Sequence, residues 1–341
     1  MMMTGGPQAL LAQLAQHYDL TFTSAERLGG EVDVNVRLLD EQGTPWFLKA
    51  TADLEATREH WQWQVIDHVS RVDPDLPVPR IRRSRNGSLA VRLAYDGLDV
   101  EAAVMSWLPG QAMGRADGVD ASTREDLGRR AAQLSRALQS MDPTGVPHTH
   151  HWDVRAFAPA LSAGLDAVTA PQDRSAVLAI IDRCGHRVER LNDLPLALAH
   201  QDLNDFNVLV AAHDDDGMRV SGIIDFGDTI LGLRVSEVVV AAAYAMLRQD
   251  DPVSALVDVT RGFTRSQPLT AAELAAVYPL AALRLCVNGC TWTARTATDP
   301  SEYGLSRMAF TWPVIRALAQ VDPDEVQDRL LRTDAIISEE P

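Results

Sequence analysis

His200-Gln201-Asp202-Leu203-Asn204-Asp205-Phe206-Asn207 is the stretch that decides the fold of this chain. It has the form His-x-Asp-x-x-x-x-Asn and runs straight into an apolar strand, Val208-Leu209-Val210. His213 to Gly217 reads as a polar turn, and Val220 to Asp225 as a second strand leading into Asp225-Phe226-Gly227-Asp228. Folded as a hairpin about Asp215, these strands bring Asn207 and Asp225 nearly opposite each other at the open end. Asp202 can then take a proton from a hydroxyl. An amide oxygen and a carboxylate converging on one point suit a hard divalent cation that takes few protein ligands.

Such spacing, with Asp-Phe-Gly following, is that of phosphoryl-transfer catalytic loops. It makes Asp202 the candidate catalytic residue, and Asn207 and Asp225 the candidate ligands of Mg²⁺. Working outward, the basic residues point the same way. Of 31 Lys plus Arg, 30 are Arg and one is Lys, Lys49. A chain that writes Arg wherever a positive charge suffices has kept one ammonium. It lies on a strand, Trp46 to Ala50, just before a helix, where a lysine holds the α- and β-phosphates of a nucleotide. Glu59 on that helix is its candidate partner, with Glu55 one turn earlier as the reserve; both also read as solvated helix acids. Upstream, Leu28-Gly29-Gly30-Glu31-Val32-Asp33-Val34-Asn35 sits where a phosphate-covering loop belongs, which adds Gly29, Gly30 and Asn35 to the nucleotide candidates. The segment lacks Gly-x-Gly-x-x-Gly, and the glycine pair also reads as a simple turn. The backbone from Met105 to Trp107 is the candidate to receive the adenine.

The rest of the chain bounds this reading. Its 341 residues suggest two lobes, each able to bury a core. A net charge of -16 and a pI near 4.9 argue against nucleic acid or an anionic membrane as partner. Three sparse cysteines, Cys184, Cys286 and Cys290, describe no disulfide framework, and the last two read as small core residues. No signal core is visible, and no apolar stretch approaches bilayer-spanning length, so a cytoplasmic enzyme is expected.

A helix from Gln8 to Tyr18 precedes strands at Val32 to Leu39, Trp46 to Ala50, Ser88 to Ala94 and Val100 to Trp107, with a helix from Leu54 to Ser70 among them. From Ala121 onward the period is mainly helical. The expected class is therefore α+β and bilobal. A β-rich nucleotide-binding lobe covers 1–104 and a hinge 105–110. A mostly helical catalytic and substrate-binding lobe covers 111–341.

These residues resemble the aminoglycoside phosphotransferase and choline kinase family, and within it the hydroxylysine kinase-like branch. The resemblance runs from about Leu28 to Trp292. It is carried by Leu28 to Glu31 with Asp33 and Asn35, by Trp46-Phe47-Leu48-Lys49, and by Arg71 to Arg80. Trp107-Leu108-Pro109-Gly110, His200 to Val210, Ile223 to Asp228 and Ala241 to Ala245 continue it. It implies a bilobal protein-kinase-like fold, ATP or GTP with Mg²⁺, and transfer of the γ-phosphoryl to a hydroxyl of a small metabolite. Gln201 stands where the branch often has Gly, His60 near where it places its acid, and Glu237 where an Asp usually follows the metal motif. Only a few residues separate Gly227 from the apolar helix Val235 to Leu247, which leaves no room for a protein kinase's activation loop.

Glu237, inside that apolar helix, needs a buried partner, expected on the catalytic-loop backbone near His200. His148, His150 and His151 read as a surface loop ahead of metal ligands. Arg284 on an apolar helix would meet a substrate carboxylate or form a structural ion pair. Trp292, Tyr303 and Trp312 would wall a cationic amine or pack between helices. The expected function is a kinase of a small hydroxylated amine or amino acid. The alternatives are an aminoglycoside phosphotransferase and a nucleotide-binding regulatory protein without turnover.

Overall fold

The computed structural model describes residues 7–29, 33–51, 57–188, 193–213, 217–300, 302–332 and 337–338, apart from the side chains of 57–60, 302–303 and 337–338. The chain divides into two compact units, Met1–Pro109 and Gly110–Pro341.

In the first unit, Leu10 and Leu14 lie one turn apart and give α1 (Pro7–His17) its apolar face. They pack with Tyr18 and Phe22 onto Val36, Leu38, Leu48, Val91, Leu93, Val100 and Val104. Each such side chain, fully buried, contributes roughly 1.5–3 kcal/mol. The sheet they cover is antiparallel and five-stranded. Its strands are β1 (Phe22–Leu28), β2 (Val34–Asp40), β3 (Pro45–Thr51), β4 (Val91–Tyr95) and β5 (Leu98–Ser106), in the order β1-β2-β3-β5-β4. β1 is absent from the sequence reading, because only Phe22 along it is buried and no alternation shows. α2 (Thr57–Val72) follows β3, with Trp63, Val65, Ile66 and Val69 buried.

The second unit begins at a residue that has to be glycine. Gly110 has φ 109°, and a Cβ there would meet Ser221 Oγ and lie 2.6 Å from the Val210 carbonyl oxygen. That close approach lets β6 (Gln111–Ala112) pair with β8 (Val208–Ala212), itself the first arm of a hairpin with β9 (Met218–Ile223). β7 (Leu196–Ala199) pairs antiparallel with β10 (Ile230–Leu233), so the catalytic-loop stretch leaves a strand whose partner lies just beyond Asp228.

Apart from a short parallel pair, Leu269–Thr270 with Ile337–Ser338, the remaining elements are mainly helices: α3 (Ala121–Gln139), α4 (Phe157–Gly164), α5 (Pro171–Gly185), α6 (Ser236–Ala245), α7 (Pro252–Thr264), α8 (Ala271–Thr298), α9 (Glu302–Ala309), α10 (Thr311–Leu318) and α11 (Pro323–Arg332). Every residue of α6 is buried. α8 opens with a capping box in which Thr270 and Glu273 satisfy each other's backbone N–H groups.

One expectation is corrected here. α8, at 28 residues, is long and apolar enough to cross a membrane, although the sequence reading found no such stretch. Of its apolar window, 94% is buried inside the protein, so its hydrophobicity is that of a central core helix. Cys286 and Cys290 are buried in it, and Cys184 is buried on α5; all three are free thiols, pushed up by burial. Trp312 packs on the same helix, where a Cβ at Gly289 would touch its ring at 3.2 Å, while the side chain of Tyr303 lies outside the described residues.

Candidate active site

β7 and β8 hold the two ends of the stretch from His200 to Asn207, and side chains fill the gap between them. Asn204 Oδ1 accepts from the backbone N–H groups of Phe206 (2.8 Å) and Asn207 (3.1 Å), a local turn typical of Asn. Its amide nitrogen donates to Asp202 Oδ1 at 2.8 Å. Asn207 Nδ2 donates to Asp202 Oδ2 at 2.6 Å and to the Asp202 carbonyl at 3.1 Å. With its nitrogen turned to Asp202, Asn207 keeps its Oδ1 as the atom that can meet a cation.

The buried His200 joins this loop to the second motif. Its Nδ1 accepts from the Asp202 backbone N–H at 3.2 Å, which leaves the ring proton on Nε2, 3.2 Å from the Ile224 carbonyl. Its ring meets Phe226 edge-on, with centroids 4.6 Å apart. Ile224 N–H donates in turn to the Asn207 carbonyl at 2.9 Å, and Val208 pairs with Ile223. Asn207 and Asp225 thus share the open end of the hairpin, as the sequence predicts, while 214–216 at its turn lie outside the described residues.

Asp225 itself lies beyond β9 instead of ending it. It adopts the left-handed conformation at φ 65°, ψ 74°, and Gln201 does the same at φ 65°. Each such non-glycine residue costs on the order of 1–3 kcal/mol, a strain that persists only where its surroundings over-determine it. At position 201 the geometry explains why glycine would be at ease. Gln201 occupies it with a fully buried side chain, pressed so close that a Cβ on Gly232 would lie 2.5 Å from its Nε2.

Glu237 finds its expected partner: the His200 backbone N–H donates to its Oε1 at 2.6 Å. Burial pushes this carboxyl up to about 8. Its Oε2 has no hydrogen-bond partner among the described residues.

In the first unit, Lys49 sits on β3 directly opposite Asn35 of β2, 8% exposed. Its Nζ lies 2.9 Å from Asp33 Oδ2. The sequence reading names Asp33 only among the residues that carry the resemblance and not as a partner of Lys49, although strand period carries the signal. Asp33 is two residues before Asn35 and so shares the face that Lys49 occupies. Glu55 and the side chain of Glu59, the two expected partners, lie outside the described residues, as does Gly30. Asn35 Nδ2 donates to the Gly29 carbonyl at 3.1 Å. Neither a positive φ nor a neighbour within 4 Å requires glycine at Gly29.

Met105 is committed to the sheet. Its bridge to Ile81 is flanked by bonds from Arg82 N–H to the Val104 carbonyl and from Ser106 N–H to the Arg80 carbonyl, so its own backbone groups turn to Phe47 on β3. Trp107, just past the strand, is 37% exposed, edge-on to Phe47 and beneath the Arg37 guanidinium at 5.3 Å.

The profile defining the phosphotransferase enzyme family matches residues 24–276. The chain belongs to the phosphotransferase enzyme family. Hydroxylysine kinase of Mus musculus is 29% identical over 236 residues, which span 66% of this chain and 62% of the mouse protein, less than two thirds of that relative's length. The fold is shared with a microcompartment-associated aminopropanol kinase, at TM-score 0.67 and 18% identity over 95% of this chain and 99% of that one. It is shared also with an amicoumacin kinase solved with AMP-PNP and Ca²⁺, at TM-score 0.65 and 15% identity over 94% and 96%. The protein-kinase-like α+β class expected from the resemblance is the observed one.

Within this phosphotransferase, several residues make contacts beyond their sequence reading. The histidines lie in a surface loop as expected, His148 and His151 exposed and His150 half-buried, and two of them make contacts inward: His150 Nε2 lies 3.3 Å from Asp228 Oδ1, and His151 Nε2 lies 3.0 Å from Thr291 Oγ1 on α8. Arg284, 3% exposed, takes the ion-pair alternative. Its Nη1 donates to the Trp152 carbonyl, and its Nη2 to the Gln201 carbonyl (3.3 Å) and Asp202 Oδ1 (3.4 Å). Asp205, buried beneath the loop, pairs with Arg248 and with Arg307 of α9 at 2.9 Å, contacts that no local pattern announces.

Proposed function

We propose that this phosphotransferase is a small-molecule kinase, transferring the γ-phosphoryl of ATP or GTP to a hydroxyl of a small hydroxylated amine or amino acid. The observation that carries the reading is the single hydrogen-bonded unit of Asp202, Asn204 and Asn207, bound through His200 to the Ile224 carbonyl, one residue before the strained Asp225. Relatives named hydroxylysine kinase and a structural neighbour named aminopropanol kinase support the acceptor class. A neighbour solved with AMP-PNP and Ca²⁺ supports a nucleotide with a divalent cation.

In this reading Asp202 orients the acceptor hydroxyl and takes its proton as the new O–P bond forms, while the nucleoside diphosphate leaves. Asn207 Oδ1 and the Asp225 carboxylate fit a cation such as Mg²⁺ in donor chemistry. When bound, the cation would neutralise phosphate charge. Lys49 would hold the α- and β-phosphates, and the backbone near Trp107, beyond the committed Met105, would receive the base. Catalysis is then mainly positioning and charge stabilisation.

The test is ADP release with ATP and Mg²⁺ across amino alcohols, hydroxy amino acids and aminoglycosides. Acceptor-stimulated release that Asp202→Asn abolishes is the expected result. Tight ATP binding with no stimulated release over the whole panel would instead establish a nucleotide-binding protein without turnover.

A further inference from the structure

Three donors hold the Asp202 carboxylate, and only two of them come from its own loop. Asn204 Nδ2 reaches Oδ1 at 2.8 Å, and Asn207 Nδ2 reaches Oδ2 at 2.6 Å. The third is Arg284 of α8, 82 positions further along the chain, whose Nη2 lies 3.4 Å from Oδ1. A carboxylate offers about four acceptor sites, two on each oxygen. Both sites of Oδ1 and one of Oδ2 are therefore taken, and the site left for an acceptor hydroxyl is the second one on Oδ2. The side chain of Asp202 is 20% exposed, so the carboxylate is not sealed in by protein.

The guanidinium is itself fixed on every side. Its carbon lies 4.8 Å from the Trp152 ring centroid and 5.7 Å from that of Tyr244. Nη1 donates to the Trp152 carbonyl, and Nη2, which has two N–H groups, also to the Gln201 carbonyl at 3.3 Å. Tyr244 Oη donates in turn to Asn288 Oδ1 at 3.1 Å, one helical turn beyond Arg284 on α8. Arg284, Tyr244 and Asn288 are all buried. Other buried pairs of this chain close more tightly: Arg307 on Asp205 and Arg124 on Asp258, both at 2.9 Å. A pair built for stability alone would close as a bidentate fork on both carboxylate oxygens. Here the two carbonyls hold the fork short of that, so Oδ1 is engaged while Oδ2 keeps a site open.

We propose that Arg284 is a positioning residue for phosphoryl transfer, orienting the Asp202 carboxylate so that Oδ2 is the atom that takes the acceptor's proton. As that proton passes to Oδ2, the hydroxyl oxygen forms its bond to the γ-phosphorus. The bond from that phosphorus to the nucleoside diphosphate oxygen breaks. The proposal rests on the kinase reading above and adds to it the proton-accepting atom and the residue that orients it.

Arg284→Gln and Arg284→Lys test it beside the wild-type protein. Two quantities are read: ADP release with ATP, Mg²⁺ and the acceptor panel above, and calorimetric binding of AMP-PNP with Mg²⁺. Arg284→Gln should lose about 100-fold in kcat, the cost of displacing a reacting group by about 1 Å. Its KM for ATP and its affinity for AMP-PNP with Mg²⁺ should stay nearly unchanged. Arg284→Lys should recover part of kcat, since an ammonium keeps the charge and loses the fork. The affinity separates positioning from scaffolding, because Asn207 lies on the same loop as Asp202. A brace that merely held the loop together would lose nucleotide affinity and kcat in parallel, and that result overturns the proposal. An unchanged kcat in Arg284→Gln overturns it as well. Should Arg284→Gln fail to fold, Arg284→Lys decides alone: kcat should fall about tenfold with affinity kept, the scale of one lost charge-assisted hydrogen bond, and wild-type kcat there overturns the proposal. Either overturning result leaves the kinase reading standing. No stimulated release from the wild-type protein with any acceptor would sink both.

Discussion

Lys49 shows how much a single side chain can decide. Nothing in the packing of β3 demands an ammonium there, since a strand position facing Asn35 and Asp33 would accept any long cation. What the position would demand is chemistry: a compact, rotatable charge that can leave Asp33 for phosphate oxygens, where a planar guanidinium would remain locked in its fork. Lys49→Arg should therefore fold like the wild type, with an unchanged thermal midpoint. It should lose roughly 100-fold or more in kcat/KM for ATP, the scale of one misplaced electrostatic contact at a reacting centre. Wild-type kinetics in that variant would show the lone lysine to be a compositional accident. The loop strain belongs to this scale as well. Gln201 and Asp225 both hold left-handed backbone, and the hydrogen bonds of His200 run between their neighbours.

At the level of elements, α6 acts on the catalytic loop through one carboxyl. Burial pushes Glu237 up to about 8, against 4.5 for the free group. Between those values the folded protein keeps a proton that the unfolded chain has released. The stability this carries is complete below about pH 4.5 and is lost as pH rises to about 8, by roughly 1 kcal/mol per unit. Glu237→Gln retains an oxygen for the His200 N–H and cannot titrate. Urea midpoints should therefore shift progressively in favour of the Gln variant from pH 5 to pH 8, whereas a constant offset would mean that the carboxyl does not titrate in this range.

The same element shows what was legible in advance. The need of Glu237 for a partner on the catalytic loop, the hairpin that gathers Asn207 and Asp225, and the strand bearing Lys49 all follow from local period and spacing. What local pattern misses is long-range or one-sided. β1 buries only Phe22, Asp33 reaches Lys49 across a strand pair, and Arg284 and Arg307 on helices and Arg248 in the turn after α6 reach the loop from 43 to 102 positions away. Buried charge of that kind is chosen by its partner, which no window of sequence contains.

Over the whole molecule, charge and proposed chemistry pull against each other. A net charge of -16 repels a nucleoside triphosphate, and the candidate ligands Asn207 and Asp225 bring one more negative charge toward it. Among the described residues no cluster of three His, Cys, Asp or Glu is placed to hold a metal by itself, so a cation here would draw the rest of its shell from phosphate and water. Nucleotide and cation should therefore bind as one unit, each weak without the other. Stability measures this directly. With Mg²⁺ and ATP at about a hundred times its Kd, unfolding free energy should rise by about 2.7 kcal/mol, and chelation with EDTA should remove most of that gain. Asp225→Asn tests the ligand assignment without disturbing the backbone, because Asn tolerates the left-handed conformation that Asp225 adopts. Its gain from ATP should be the same small value with Mg²⁺ as with EDTA. Equal stabilisation of the wild-type protein by ATP in both conditions would mean that the cation does not join nucleotide and protein. A Mg²⁺-dependent gain that persists undiminished in Asp225→Asn would move the metal to other residues.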